Sequence, residues 1–534
     1  MSEQKRVAIL EDLAPECIAA LEEAGLAADV VPQWDEAELE HGIAGYDALI
    51  VGPSARVTAA ALRAGRTLRV VGTTGVAVDA IDVDEATRRG VVVVNAPDSD
   101  VVSAAEHTVA LLLACARGLA GADADLRAGG WQPRRWSDAG VEVRGKTLGL
   151  VGFDRASPAV AETARALGMR VLAWSPVEPG EAAERPFEMA ETVDAGRLWA
   201  ESDFVVVRAV AAAGLGHVVG AAELAAMKVG VRVVDLAGPG GVDPAAFAGA
   251  LGGGRVAAAV VGVAAAGAPA SRALAGAPNV LLAPLLAAST ADARLRAGTM
   301  VAGQVVAVLR GELPANAVNV PAAGADDAAE AMPYMGLCAQ LGRLLVQLAD
   351  GPLEAVAISY GGSMAYFDTR LLTLGVLSGV LSRRVEGPVN FVNAQLIADE
   401  LGVTATEQRQ AGIPDFPRLI TVSTTGPHGE VSVSGTSLGP QHKPRLVTLF
   451  GEDIDIEPAP HMAFLRYVDL PGVGGKLGTL LGEWGVNIGH MSVGRGKLGN
   501  EAVMALTLDD VLTPGQVDEL VAHCGLLYAR AVEL

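Results

Sequence analysis

The sequence contains few aromatic residues, few cysteines and few positive charges. Only 4% of its 534 residues are aromatic although 51% are hydrophobic, so Ala, Val, Leu and Gly must fill the interior. Forty Lys and Arg face 62 Asp and Glu, which gives a net charge of −22. This excess of acid argues against nucleic acid or an anionic membrane as a partner. The high apolar fraction excludes a disordered chain.

The cysteines exclude a zinc site and favour a reduced, cytoplasmic setting. They lie far apart in the sequence, with no Cys-x-x-Cys pair and no neighbouring histidine cluster. No metal is therefore expected. The chain begins Met-Ser-Glu-Gln-Lys-Arg and continues directly into an alternating apolar stretch, so no signal peptide is expected. The longest uncharged run, Ala273–Ala291, contains two prolines and an asparagine, which favours buried strand ends over a membrane span.

A repeating pattern extends from Arg6 to about Val320. Short Val/Ile/Leu runs are each followed by a turn and then by an Ala/Leu/Glu/Arg stretch with helical spacing. Continuous apolar strands that alternate with helices predict parallel sheets covered on both faces. We therefore expect an α/β class with doubly wound sheets. At about 150 residues per domain, the length predicts three or four domains.

The pattern changes after residue 320. Pro321–Ala331 is small, polar and weakly patterned, which predicts a linker. Arg418–Gly451 alternates Val, Ser and Thr between Gly and Pro turns, which is typical of an antiparallel sheet. His461–Leu534 reads strand, helix, strand, strand, helix, strand, which is a ferredoxin-like order. Domain boundaries are expected near residues 321 and 458.

The segment Gly145–Pro158 lies at a strand-to-helix turn where a dinucleotide-binding Gly-x-Gly-x-x-Gly motif would be found. Gly152 holds the first glycine position, but Asp154 and Ser157 hold the second and third. Their side chains would keep the backbone from approaching a pyrophosphate. Two unit charges about 4 Å apart repel by about 4 kcal/mol at an effective dielectric constant near 20. The Asp154 carboxylate is therefore expected to oppose a dinucleotide.

A purely structural interpretation of these residues is also open. Asp154 or Ser157 can cap the helix that follows, and Pro158 is suited to its first turn. The acid that binds the ribose of NAD is expected at the end of the next strand. Ser175 stands there instead.

Ordered motifs along the whole chain resemble one protein family. They include the segments 74–83 around Asp79, Gly90–Pro97, Ser103–His107, Ala288–Thr290, Leu313–Val320, Phe391–Ala394 and Tyr467–Gly472. The chain resembles D-3-phosphoglycerate dehydrogenases of the long type, members of the 2-hydroxyacid dehydrogenase family. The resemblance implies NAD as cofactor. It also implies a flavodoxin-like substrate-binding domain (1–100 plus 290–320), a Rossmann-like nucleotide-binding domain (101–289), an α+β intervening domain (321–457) and a ferredoxin-like ACT domain (458–534).

The catalytic positions implied by the resemblance carry other residues here. The family's substrate-binding Arg corresponds to Gly238, its acid to Gly267 and its general-base His to Leu285. A further family histidine, at the end of a strand, corresponds to Arg208. The family's Arg-Ser pair that contacts the substrate phosphate corresponds to Gly52 and Pro53, and Arg56 lies nearby in the sequence. Because Leu and Gly cannot transfer protons or bind a carboxylate, we expect acid–base catalysis of the family's kind to be lost.

The last domain keeps the residues that the resemblance assigns to an amino-acid ligand. They are Tyr467, Asp469, Gly472 and Asn487, in a site between two paired ACT domains. A carboxylate suits an ammonium group, an amide suits either end of an amino acid, and a helix N-terminus suits a carboxylate. The alternative is that Asp469 forms a turn and Asn487 ends a strand.

Two hypotheses follow. The first is a non-catalytic homologue of phosphoglycerate dehydrogenase that needs no cofactor and senses a small amino acid such as L-serine. It would act as a homo-oligomer or by pairing with an active paralogue, with neither nucleic acid nor membrane as partner. The alternative is an NAD-dependent D-3-phosphoglycerate dehydrogenase with a rebuilt active site.

Overall fold

A computed structural model describes most of the chain. The described residues are 4–31, 34–131, 140–176, 189–208, 217–238, 240–263, 269–274, 277, 279–285, 289–321, 325–349, 351, 353–412, 416–426, 429–439, 441–495 and 501–534. The chain divides into two compact units, one of Met1–Ala96 with Val301–Leu534 and one of Pro97–Met300. Among the described residues, no helix is both long and apolar enough to cross a membrane.

The first unit begins with a five-stranded parallel sheet in the order β2-β1-β3-β4-β5, which is the flavodoxin-like order. Strands such as β3 are buried along their whole length, because helices cover both faces. The strands are β1 Arg6–Leu10, β2 Ala27–Val30, β3 Ala48–Val51, β4 Val70–Thr73 and β5 Val92–Val94. The helices between them are Pro15–Glu23, Glu36–Gly42, Ala59–Ala64 and Val83–Arg88.

The second unit contains a seven-stranded parallel sheet in the order β12-β11-β10-β9-β6-β7-β8. This is the Rossmann order extended by one strand, and its direction of winding reverses between β6 and β9. The strands are β6 Thr147–Val151, β7 Arg170–Trp174, β8 Glu191–Thr192, β9 Phe204–Val207, β10 Val231–Asp235, β11 Val256–Val263 and β12 Val280–Pro284. The described helices include Val101–Arg117, Leu119–Arg127, Ser157–Ala166, Ala195–Glu201, Ala221–Ala226, Pro244–Gly252 and Pro269–Leu274.

The helix Ala291–Arg310 extends across the boundary in the sequence between the two units. Its last half packs on the five-stranded sheet at Gly72, where a Cβ atom would lie 2.5 Å from a methyl group of Val301. A glycine at position 72 therefore allows the helix to approach the strand closely.

A six-stranded sheet follows in the order β14-β13-β15-β16-β17-β18, antiparallel except for the pair β13 and β14. The helix Ala325–Ala349 packs against it, so the predicted linker Pro321–Ala331 is shorter than expected. The antiparallel pattern predicted for 418–451 is confirmed. The strands are β13 Ala355–Gly362, β14 Thr404–Gln410, β15 Arg418–Gly426, β16 Gly429–Leu438, β17 Lys443–Leu449 and β18 Glu452–Ile456. The other helices are Arg370–Leu381, Ala394–Glu400 and the 3-10 turn Ser363–Tyr366.

The chain ends in a four-stranded antiparallel sheet in the order β20-β21-β19-β22. This order, with helices after the first and third strands, is ferredoxin-like, as the sequence predicts. The strands are β19 His461–Val468, β20 Ile488–Arg495, β21 Glu501–Leu508 and β22 Leu526–Glu533, and the helices are Val473–Glu483 and Pro514–Cys524.

Candidate functional site

The carboxyl edge of the seven-stranded sheet is the first place to look for a site. Ligands of doubly wound sheets bind where the winding direction reverses, which here is between β6 and β9. Gly152 follows β6 with a φ of +79° and opens the turn into the helix Ser157–Ala166. Arg208 follows β9 directly. Because β6 and β9 are neighbours in the sheet, the loops that follow them lie side by side.

Asp154 lies just before the helix that starts at Ser157. Its Oδ1 accepts hydrogen bonds from the backbone N–H groups of Ala156 (3.1 Å) and Ser157 (2.9 Å) and from the Ser157 hydroxyl (2.8 Å). The backbone N–H of Asp154 donates in turn to the Ser157 Oγ (3.1 Å). Asp154 therefore closes the turn just before the helix, whose N-cap residue is Ala156 and has no side-chain capping bond. These N–H groups lie at a helix N-terminus, where such donors can bind phosphate oxygens.

Arg208 holds the other oxygen of the same carboxylate. Its Nη2 and Nε donate to Asp154 Oδ2 at 2.6 Å and 2.8 Å, and its Nη1 donates to the Thr108 hydroxyl. Arg208 is only 8% exposed. The sequence analysis expects the negative charge of Asp154 to repel a phosphate. This explanation is wrong, because Arg208 neutralises the carboxylate. A phosphate is opposed instead because the backbone N–H groups of Ala156 and Ser157 already donate to Asp154.

A histidine lies close to this ion pair. Burial, and then the positive charge of Arg208, lower the pKa of His107. Its Nε2 is buried and has no hydrogen-bond partner among the described residues. The histidine is therefore neutral at pH 7, which agrees with the structural role suggested by its apolar helix.

The residues at this edge do not fit the pyrophosphate of a dinucleotide. The Asp154 side chain fills the helix N-terminus, and Ser157 holds the place of the third glycine. Ser175 follows β7, where a ribose-binding acid is expected. The serine hydroxyl cannot replace a carboxylate in binding the ribose of NAD. We therefore derive no chemistry through NAD at this turn.

Two of the three positions that correspond to the family's catalytic residues lie close together. A Cβ atom on Gly238 would lie 3.6 Å from Cδ1 of Leu285, and Leu285 is 38% exposed. Gly238 has a φ of +70°, so any side chain at this position would be strained. The third position, Gly267, lies outside the described residues. The two described positions present an aliphatic group and a bare backbone, neither of which transfers a proton.

Asp235 closes the turn that carries Gly238, and sequence reasoning missed this role. Its Oδ1 accepts from the Ala237 N–H and its Oδ2 from the Val242 N–H, both at 3.1 Å. The residue is 4% exposed, and burial raises its pKa to about 6. A Cβ atom on Gly241 would lie 2.3 Å from Asp235 Oδ1, so the loop needs glycine there. The sequence feature that could have indicated this role is an acidic residue at the end of a buried strand.

The first unit shows a second departure from the family pattern. Gly52 and Pro53 stand where the resemblance implies a phosphate-binding Arg-Ser pair. A Cβ atom on Gly52 would lie 1.7 Å from Glu11 Oε2, so a carboxylate fills the space of the absent side chain. Arg56, the nearest substitute, pairs instead with Glu36 at 3.6 Å on the surface.

The structure brings three of the predicted amino-acid-binding residues, Tyr467, Asp469 and Gly472, to one end of the ferredoxin-like sheet. The fourth, Asn487, precedes β20 and lies at the opposite end of the sheet. Gly472, with a φ of +98°, starts the helix Val473–Glu483, and Tyr467 is buried on β19. Asp469 forms an ion pair with Arg495 (Nε to Oδ2, 3.2 Å). The Asn487 Nδ2 donates to Asp509 (3.1 Å). Burial, and then the charge of Asp469, raise the pKa of Tyr467.

The four cysteines are buried and unpaired by disulfides, and no group of side chains among the described residues could hold a metal ion. The His217 side chain, at the surface of the second unit, belongs to no such group.

The fold and these sites define a class of protein, and comparisons agree with it. Residues 7–319 match the profile of the "D-isomer specific 2-hydroxyacid dehydrogenase, catalytic domain", and residues 330–450 match the "D-3-phosphoglycerate dehydrogenase intervening domain". The first match alone covers more than half of the chain. The chain therefore belongs to the D-isomer specific 2-hydroxyacid dehydrogenase family.

Within that family, several similar relatives carry the same name. The D-3-phosphoglycerate dehydrogenase of Mycobacterium tuberculosis is 38% identical over 509 residues, covering 94% of each chain. The Archaeoglobus fulgidus protein of the same name is 33% identical over 532 residues, covering 99% of this chain and all of that one. Among solved structures, the TT0316 protein of Thermus thermophilus is 28% identical with a TM-score of 0.51, over 59% of this chain and 99% of that one. A D-2-hydroxyisocaproate dehydrogenase, 20% identical over the same shares, shares the fold with a TM-score of 0.52.

Proposed function

We propose that this chain is a phosphoglycerate dehydrogenase homologue that does not carry out NAD-dependent hydride transfer. It acts instead as an amino-acid-binding regulatory or scaffold subunit, as a homo-oligomer or with an active paralogue. The observation that carries the proposal is the Asp154 carboxylate, which takes the helix N–H groups that a pyrophosphate would need. Gly238 and Leu285 support it, since neither can act as acid or base.

A titration of NADH fluorescence with the full chain tests this proposal. No saturable binding is expected for the wild type at sub-millimolar NADH. The double variant Asp154→Gly/Ser157→Gly should gain affinity, because it frees the helix donors and lets the backbone approach. Asp123→Ala is a control, because it removes an exposed acid that pairs with Arg127 in the same unit and outside this turn. Saturable, wild-type NADH binding that the double variant leaves unchanged contradicts the proposal.

The relatives favour a second candidate, an NAD-dependent D-3-phosphoglycerate dehydrogenase with a rebuilt site. Proteins of that name are 33–38% identical over nearly the whole chain, and their names support this candidate more directly than the first. Asp235 would be its proton carrier, because its pKa of about 6 is suited to neutral pH and its turn carries Gly238. NAD reduction with 3-phosphoglycerate that Asp235→Asn abolishes would establish it.

A further inference from the structure

A cavity of about 300 Å³ lies within the first unit, away from the sites described above. One wall comes from the ends of the helices Ala59–Ala64 and Val83–Arg88, and the other from the segment 385–388 and the helix Ala394–Glu400. This volume is at the small end of the range for ligand-binding pockets. The cavity lies outside the turn at Asp154 and the loop at Asp469.

Three arginines line this cavity, namely Arg66, Arg88 and Arg89. Arg88 is 3.6 Å from Glu85, a carboxylate that Arg63 approaches from the other side at 3.4 Å. In the described part of the chain, neither Arg66 nor Arg89 has a carboxylate within 4.0 Å. Arg66 and Arg89 therefore form no ion pair with the described residues, although Glu386 and Glu400 also line the cavity.

The Arg89 side chain gives a second, independent indication. Its Nε is buried and has no hydrogen-bond acceptor among the described residues. Buried donors nearly always have a partner, and an unmade hydrogen bond of a charged group is costly. Rotation of the Arg89 side chain toward a ligand oxygen in the cavity would supply the acceptor that the fold leaves out.

Amide side chains brace the wall of the cavity. Asn393 is 1% exposed, and its Nδ2 donates to the carbonyl oxygens of Arg88 (3.2 Å) and Pro388 (3.0 Å). The Asn390 Nδ2 donates to the Gly90 carbonyl at 2.8 Å. These bonds fix the arginine-bearing turn against the opposite wall. The site is therefore preorganised, which lowers the entropy lost on binding.

We infer that this cavity binds a small oxyanion of more than one negative charge, a phosphate or a dicarboxylate, on Arg66, Arg88 and Arg89. Guanidinium groups donate pairs of hydrogen bonds to the oxygens of both anions. Glu386 and Glu400 also line the cavity and repel an anion charged at every end. Phosphate is therefore favoured over a dicarboxylate, and the preferred ligand carries a phosphate at one end and hydroxyl or amino donors at the other. This inference does not depend on the proposed function.

Isothermal titration of the full chain tests the site with inorganic phosphate, glycerol 3-phosphate and succinate, against potassium chloride at matched ionic strength. Saturable binding is expected for inorganic phosphate, and succinate, which is charged at both ends, should bind more weakly. Glycerol 3-phosphate should bind more tightly than inorganic phosphate, because its hydroxyls face the glutamates.

Variants place the site. Arg89→Gln should weaken binding about tenfold, since a charged hydrogen bond is lost. Glu400→Gln should tighten binding by a few fold, because it removes an opposing charge. Arg310→Gln, an exposed arginine of the same unit outside the cavity, should leave binding unchanged. If Arg89→Gln does not fold, Arg66→Gln is expected to give the same loss.

Two results would overturn the inference. They are the absence of saturable binding of all three anions, and an equal loss in Arg310→Gln.

Discussion

The helix start in the seven-stranded domain and the one in the ferredoxin-like domain carry the same pair of residue types. Each has an aspartate just before a helix and an arginine that pairs with it, Asp154 with Arg208 and Asp469 with Arg495. Arg208 is 9% exposed in its side chain and Arg495 is 77% exposed. Asp154 also accepts three hydrogen bonds from the start of its helix, and no such bond to Asp469 is found among the described residues.

This difference changes what each aspartate does. Arg208 is buried although the Asp154 side chain is 27% exposed, so removal of this acid leaves a buried charge without compensation. An exposed pair at 3.2 Å contributes little, and salt or a ligand can displace it. The loss of a binding-motif glycine at position 154 is therefore also the gain of a structural contact. Asp469 remains available to a ligand.

The substitution Asp154→Ala should have the largest effect on stability. It leaves the Arg208 guanidinium buried without its anion, which costs about 3–5 kcal/mol, and it removes hydrogen bonds at the helix start worth about 1 kcal/mol. Urea unfolding of the second unit measures the loss. The control Asp98→Ala breaks an exposed pair and should cost at most about 1 kcal/mol.

A loss in Asp154→Ala as small as that in the control would contradict the contrast between the two helix starts. The double variant Asp154→Ala/Arg208→Leu sharpens the test. If the uncompensated charge causes the loss, removing Arg208 as well should recover part of the stability.

The second expected effect is on the pH dependence of the free energy of unfolding, through Asp235. Burial raises its pKa to about 6, whereas the unfolded value is about 3.9. Between these values the folded state keeps a proton that the unfolded state has released, so stability falls as pH rises. The fall amounts to about 3 kcal/mol, at about 1.4 kcal/mol per pKa unit, and ends above pH 6.

Thermal unfolding of wild type and Asp235→Asn between pH 4 and pH 7 measures this contribution. The variant should lack this part of the pH dependence, whereas the exposed control Asp292→Asn should keep it. Parallel profiles of wild type and Asp235→Asn would show that Asp235 is ionised at no cost in the folded protein.

The sequence predicted the parallel sheets well, because continuous Val and Ile runs are typical of strands buried on both faces. The flavodoxin-like and Rossmann-like form of these sheets followed from the family resemblance. The ferredoxin-like order of 461–534 followed from alternating runs and turns. The helix that begins at Ala325 was missed, since an Ala, Asp and Glu stretch has no strong apolar period before it packs. Its helical form depends on packing against the six-stranded sheet.

The candidate site was predictable only in part. Asp154 was considered as a helix cap because Asp, Ser and Pro after a strand favour the start of a helix. Its pairing with Arg208 was not foreseen, since 54 residues separate the two and only the sheet order brings them together. The same holds for Gly238 and Leu285, and for the three arginines of the anion cavity. Contacts between sequence-distant loops depend on topology, which the local pattern does not specify in detail.

The smallest effect on stability, and a large one on binding, is expected at Asp469. Its pair with Arg495 is mostly exposed, so Asp469→Ala should change the free energy of unfolding by at most about 1 kcal/mol. If L-serine or a similar small amino acid binds here, as we propose, its ammonium group takes the place of Arg495 against this carboxylate.

Titration calorimetry with L-serine should then show heat for the wild type and none for Asp469→Ala. Arg495→Gln should bind more tightly than wild type, because the competing cation is gone. Equal heats in all three proteins would mean that Asp469, like Asp154, serves only the fold, and the contrast between the two helix starts would disappear.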